Sequence, residues 1–225
     1  MRRPGEECGG NGLARLRVGV LISGRGSNLQ ALIDAAADPA YPAEIALVVS
    51  NRAEAQGLHR AAEAGIPREV IPHPDRAAFA AAAEAVLRRH QVEFIALAGF
   101  MRLLDTGFVE AWRDRMINIH PSLLPAFPGL HPQRQALAAG ARFSGCTVHF
   151  VRPETDSGPI IAQAVVPVHD DDDEERLARR ILAEEYRLYP LALRLYAERR
   201  LRIDGNRVTV AGGKPPEIAA LNPAL

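Results

Sequence analysis

Short apolar runs without polar alternation recur along this chain, each followed by a segment with helical spacing, and that rhythm leaves few folds open. The first run is Val18-Gly19-Val20-Leu21-Ile22. A segment apolar at successive positions belongs to a strand covered on both faces, as in a parallel sheet. It leads through Ser23-Gly24-Arg25-Gly26-Ser27-Asn28 into Leu29, Leu32, Ile33 and Ala36, which share one helix face. Further strands are expected over 44–49, 69–71, 94–98 and 116–119, with helices over 51–64, ending at Gly65, and over 76–90. Strand and helix alternating at roughly 25-residue spacing predict a doubly wound α/β fold with a mostly parallel, twisted sheet. Right-handed crossovers then gather the loops after the strands along one edge, where ligands collect.

The last third changes character. Residues 146–151 alternate, 160–168 form a second strand-like run, and Thr155-Asp156-Ser157-Gly158 supplies a turn between them, so an antiparallel C-terminal edge is expected. Six consecutive acidic residues, 170–175, read as a solvated loop and a helix N-terminus, where carboxylates suit the helix dipole. Leu177, Ile181, Tyr189, Leu193 and Tyr196 then mark a long C-terminal helix, which Pro190 is expected to kink or divide. The expected organisation is a flexible leader at 1–16, a single domain at 17–209 and a tail at 210–225.

Equal counts of basic and acidic residues, 27 each, exclude a global pull toward nucleic acid or anionic membrane. Cys8 and Cys146 make no disulfide framework, which favours a reducing, cytoplasmic setting. Met1-Arg2-Arg3 runs into Pro4-Gly5-Glu6-Glu7 rather than an apolar core, unlike a signal peptide. No run approaches the ~20 apolar residues of a membrane helix. Without H-E-x-x-H or C-x-x-C spacing no zinc site is expected, and without G-x-S-x-G no serine nucleophile is expected.

Three side chains carry the chemistry instead. Asn118 and His120, in Asn118-Ile119-His120-Pro121-Ser122-Leu123-Leu124-Pro125, are two apart and point to one side of an extended segment. Such a pair can donate to one developing oxyanion, and the two prolines stiffen the segment that presents it. Asp156, in the turn Thr155-Asp156-Ser157-Gly158-Pro159, is the carboxylate candidate, although an Asp in a turn commonly bonds its own backbone. His131 and His149 compete with His120; His149, between Val148 and Phe150, reads as packed or supporting. The Gly24-x-Gly26-Ser27-Asn28 loop is open to two readings, a tight turn or a phosphate site at a helix N-terminus that Ser27 or Asn28 caps.

Several blocks together go further. Leu21-Ile22-Ser23-Gly24-Arg25-Gly26-Ser27-Asn28-Leu29-Gln30, Leu97-Ala98-Gly99-Phe100-Met101-Arg102 and the segment 118–125 closely resemble the phosphoribosylglycinamide formyltransferase family of purine biosynthesis. Gly145-x-Thr147-Val148-His149-Phe150-Val151, Asp156-x-Gly158-Pro159-Ile160 and Glu184-Glu185-Tyr186-Arg187-Leu188-Tyr189-Pro190 extend the resemblance over roughly residues 17–209. It implies a Rossmann-like formyltransferase fold and transfer of a formyl group from 10-formyl-tetrahydrofolate, the co-substrate, to the amine of phosphoribosylglycinamide without a metal. It implies Asn118, His120 and Asp156 as catalytic, Gly26, Ser27 and Asn28 at the substrate phosphate, and Glu185 at the glycinamide. It places the folate against Arg76, Met101, Arg102, Leu103, Leu104, Asn118, Val151 and Asp156. The implied partners are these small molecules, with a homodimer admitted and neither nucleic acid nor membrane. The chain departs from the family at Leu182, where a Gln is usual, at Tyr186, where a His is usual, and at Pro132 and Gln133. Two other readings stay open: a formyl-tetrahydrofolate deformylase, which passes the formyl group to water, and a catalytically silent folate- or nucleotide-binding module.

Overall fold

The computed structural model describes residues 14–217 and 220–222; residues 1–13 of the expected 1–16 leader, with Cys8, and tail residues 218–219 and 223–225 lie outside the described residues. Its strands are β1 (Leu16–Ile22), β2 (Ala43–Ser50), β3 (Arg68–Val70), β4 (Phe94–Leu97), β5 (Met116–His120), β6 (Phe143–Phe150), β7 (Ile160–Pro167), β8 (Leu201–Asp204) and β9 (Arg207–Val210). Its helices are α1 (Ser27–Ala36), α2 (Gly57–Glu63), α3 (Arg76–Arg89), α4 (Thr106–Ala111), α5 (Pro132–Ala138) and α6 (Glu174–Ala197). The main sheet runs β3-β2-β1-β4-β5-β6-β7. Its first five strands are parallel, and β6 runs antiparallel to both of its neighbours, β5 and β7. The doubly wound fold with an antiparallel C-terminal edge and a long C-terminal helix is therefore present.

The all-apolar strands bury both faces. Val18, Val20 and Ile22 join the α1 and α6 residues Leu29, Leu32, Leu177, Ile181, Tyr189 and Leu193 in one core. Leu21, Leu47, Val49, Ile95 and Leu97 join Phe79, Leu87, Phe108 and Trp112 of α3, α4 and its end in the other. The buried stripe of α6 also explains its continuity. Pro190 removes one N–H from the ladder, yet the helix runs unbroken from Glu174 to Ala197 because Ile181, Leu188, Tyr189, Ala192 and Leu193 bury on both sides of it. The acidic run meets its expected place: Asp173 caps α6 by accepting from Arg176 N–H at 2.7 Å.

Besides the unbroken α6, three features differ from the expectation. The helix anticipated over 51–64 begins only at Gly57, because 51–56 form turns: Ser50 Oγ bonds Arg52, and Gly57 N–H donates to the Gly24 carbonyl at 3.1 Å. Neither Ser27 nor Asn28 caps α1; the cap position is Gly26, and both residues lie inside the helix. Finally, α4, α5 and the β8–β9 hairpin were not anticipated, being elements of four to seven residues with little periodicity to detect.

Candidate active site

The sheet order places β2 and β4 on opposite sides of β1, so the loops after β1 and β4 diverge and leave a crevice at their carboxyl ends. Ser23 joins the two loops. Its N–H donates to the Gly99 carbonyl at 3.2 Å, and its Oγ accepts from Met101 N–H at 2.9 Å while donating to Asn51 Oδ1 at 2.7 Å.

The loop after β1 needs glycine at Gly26. Its φ is 70°, and a Cβ there would meet Gly57 Cα at 2.6 Å. Arg60 Nε donates to the Arg25 carbonyl at 3.0 Å and holds the loop from α2. With no side-chain cap, the backbone N–H groups at the start of α1 remain donors for an anion at Gly26, Ser27 and Asn28. The Asn28 side chain turns elsewhere: Nδ2 donates to Glu185 Oε2 at 2.8 Å, and the buried Oδ1 has no partner. Glu185 is itself buried, and burial pushes its carboxyl up to about 7 against the smaller opposing effect of the Asn28 hydrogen bond. A groove of about 450 Å³ begins at this helix end, walled by Ser27, Gln30, Arg60 and Tyr186. Tyr186, one of the departures from the family, thus lines open space, whereas Pro132 opens α5 and Leu182 is half-buried.

Asn118 and His120 sit on the same face of β5, two strands from β1, and β6 runs antiparallel beside them. His120 is 6% exposed. Its Nε2 is 3.0 Å from the Phe127 carbonyl, and its Nδ1 is 3.3 Å from Asp156 Oδ2. Both neighbours are acceptors, an arrangement satisfied by the doubly protonated ring. Asp156 has φ 52° and bonds Gly129 N–H at 2.8 Å rather than its own backbone. Burial would raise its carboxyl, but the contact with His149, the Gly129 N–H and the nearby His120 together hold it below the ordinary value. The structure thus joins His120 to Asp156 across the sheet edge, with Asn118 beside them.

The residues assigned to folate divide. Met101 and Leu103 are 72% and 52% exposed on the loop after β4, a bare apolar surface next to β5. Leu104 and Val151 pack partly into the second core. Arg102 donates to the His73 carbonyl and, at 2.6 Å, to the Pro74 carbonyl, and its guanidinium lies 5.3 Å from the Phe79 ring centre. Arg76 is exposed at the first position of α3. His131 stands apart, exposed at the start of α5 with Nδ1 3.8 Å from Glu174. Among the described residues no cluster of His, Cys, Asp or Glu could hold a metal, and no helix is long and apolar enough to cross a membrane. Two groups of the site left no trace in the sequence, the Phe127 carbonyl and the Gly129 N–H, because backbone atoms carry no residue-type signal.

The sequence model of the family described as formyl transferase matches residues 16–193. The phosphoribosylglycinamide formyltransferase of Escherichia coli (strain K12) is 41% identical over 204 residues, covering 89% of this chain and 96% of that protein. The trifunctional purine biosynthetic protein adenosine-3 of Drosophila pseudoobscura pseudoobscura is 56% identical over 193 residues, 84% of this chain; the chain spans 14% of that protein's length. The crystal structure of glycinamide ribonucleotide transformylase 1 from Symbiobacterium toebii superposes with a TM-score of 0.85 and 51% identity, covering 87% of this chain and 94% of that one.

Proposed function

We propose that this chain, which belongs to the formyl transferase family, transfers the formyl group of 10-formyl-tetrahydrofolate to the amine of phosphoribosylglycinamide, a reaction of purine biosynthesis. The observation that carries the reading is the buried His120–Asp156 contact of 3.3 Å beside Asn118. In the reaction a C–N bond forms between the amine and the formyl carbon, and the carbonyl electron pair moves to oxygen. Asn118 and His120 donate to that oxyanion, His120 exchanging the Phe127 carbonyl for it. One such donor is typically worth ~10²–10³ in rate. Asp156 orients the His120 ring through its contact with Nδ1 and relays the proton that the amine loses, through water. The pair then collapses back to the carbonyl, the bond to folate N10 breaks, and N10 takes a proton.

Binding follows from the surrounding elements. The phosphate lies on the N–H groups of Gly26, Ser27 and Asn28, and Glu185 faces the glycinamide. The folate lies over Met101 and Leu103, with Leu104, Val151 and Asn118 beside it, Asp156 at its formyl end, and Arg76 and Arg102 at its acidic tail. An apolar wall with few polar edges suits a flat pterin. We place this reaction in the cytoplasm.

The test is release of tetrahydrofolate from 10-formyl-tetrahydrofolate with and without phosphoribosylglycinamide. Release that depends on the amine, with formylated product in equal amount, supports the transfer. Release with formate and without the amine makes the chain a hydrolase. No release under either condition leaves a binding module.

A further inference from the structure

His149 takes no part in the steps above, yet it is buried beside them. It stands on β6 directly opposite Asn118 of β5 and is 2% exposed. Its Nδ1 lies 3.0 Å from the Phe150 carbonyl oxygen, which can only accept, so Nδ1 carries a hydrogen. In the neutral ring Nε2 is then an acceptor. Asn118 Nδ2 lies 3.4 Å from it, at the long end of a hydrogen bond. Asp156 Oδ1 is farther, at 3.7 Å. The two neighbours make opposite demands on Nε2, since the amide offers a hydrogen and the carboxylate asks for one. A charged ring serves Asp156, and a neutral ring serves Asn118.

An amide beside a developing oxyanion has a weakness that its neighbours must cure. Rotated by half a turn it presents oxygen instead of N–H, and a donor becomes a repulsive acceptor. Accordingly, and resting on the formyl-transfer reading above, we infer that His149 is a positioning residue that selects the working orientation of Asn118. Neutral Nε2 accepts one Nδ2–H, which leaves the second N–H for the reacting oxygen. The flipped amide would set Oδ1 against the Nε2 lone pair. The Phe150 carbonyl fixes the tautomer that makes this selection.

A double-mutant cycle on kcat tests the inference, using Asn118→Ala, His149→Leu and the two combined, with folding checked by circular dichroism. His149→Leu is expected to lower kcat roughly tenfold to a hundredfold, within the loss known for removing a whole oxyanion donor. The KM values for both substrates should move little. In the Asn118→Ala background the same substitution should change kcat by less than about twofold, because its route of action is gone. His149→Gln, which keeps an acceptor, should recover most of the loss. Equal losses in both backgrounds, or no recovery with Gln, would overturn the inference while leaving formyl transfer intact. Absence of amine-dependent turnover in the unaltered chain would overturn the formyl-transfer reading, and the inference with it.

Discussion

Asn28 and Glu185, 157 positions apart, meet in a buried hydrogen bond of 2.8 Å that ties the N-terminal turn of α1 to the middle of α6. The bond joins the proposed phosphate site to the proposed amine site, and it holds a carboxyl that is only 5% exposed. Burial raises Glu185 from 4.5 to about 7. A carboxyl raised by folding binds a proton in the native state between those values that the unfolded chain releases. Its cost is therefore full above pH 7 and is relieved as pH falls toward 4.5. Glu185→Gln keeps an acceptor for Asn28 and removes the charge. It should raise Tm over the unaltered protein at pH 8, with the gain shrinking by pH 5, while KM for phosphoribosylglycinamide rises. Calorimetry at the two pH values checks this; an equal Tm difference at both would show that the carboxyl does not titrate between them.

His120→Ala and Asp156→Asn should each lower turnover by roughly 10²–10⁴, the range for a positioned acid–base group. The secondary structure should be retained, since His120 is the last residue of β5 and Asp156 lies in the connection between β6 and β7, outside any strand. Single-turnover formyl transfer is the measurement, and near-normal rates in either variant would remove the proposed roles.

The same carboxylate has a stability signature of opposite sign to that of Glu185. Asp156 is held below its ordinary 3.8, so its contribution is present above that pH and is lost as pH falls through the lower, folded-state value. The Tm gap between the unaltered protein and Asp156→Asn should hold at pH 5–7 and narrow in acid below 3.8. A gap unchanged down to the point of acid unfolding would contradict that assignment.

Gly26→Ala should cost about 1–3 kcal/mol from backbone strain alone, because φ is 70° and the new Cβ meets the Gly57 backbone at 2.6 Å. The displaced loop should also weaken binding of inorganic phosphate. Gly24→Ala is the matched control, since a Cβ there meets nothing within 4 Å. Denaturant midpoints for the two variants, compared side by side, decide the point.

Thr147→Val addresses the loop that carries the Phe127 carbonyl. Thr147 Oγ1 accepts from Leu124 N–H at 3.0 Å and Gln163 Nε2 at 2.9 Å, and donates to the Ser122 carbonyl at 2.7 Å. Valine keeps the shape and leaves buried groups unpaired, a loss of about 1–3 kcal/mol. Urea titration should show a lower midpoint with an unchanged m-value.

Much of this architecture was readable residue by residue. The apolar runs marked the parallel strands because burial on both faces forbids polar alternation, and the alternating run at 146–151 marked the antiparallel edge. Pro190 misled because its local penalty is visible in the sequence, whereas the burial on either side that offsets it is not. The 51–64 segment misled in the reverse direction, its helical spacing being overridden by hydrogen bonds to residues far off in the chain. Asn118, His120 and Asp156 stood out by residue type and setting, but their bonding partners did not.

Periodicity, the succession of strands and helices and the residue types available for chemistry all follow from neighbours within a few positions along the chain. The 3.3 Å contact of His120 with Asp156, the 2.8 Å bond of Asn28 with Glu185 and the raised Glu185 carboxyl arise from packing between remote segments. Those are matters of distance through space and of exclusion from water, which exist only once remote segments have packed together.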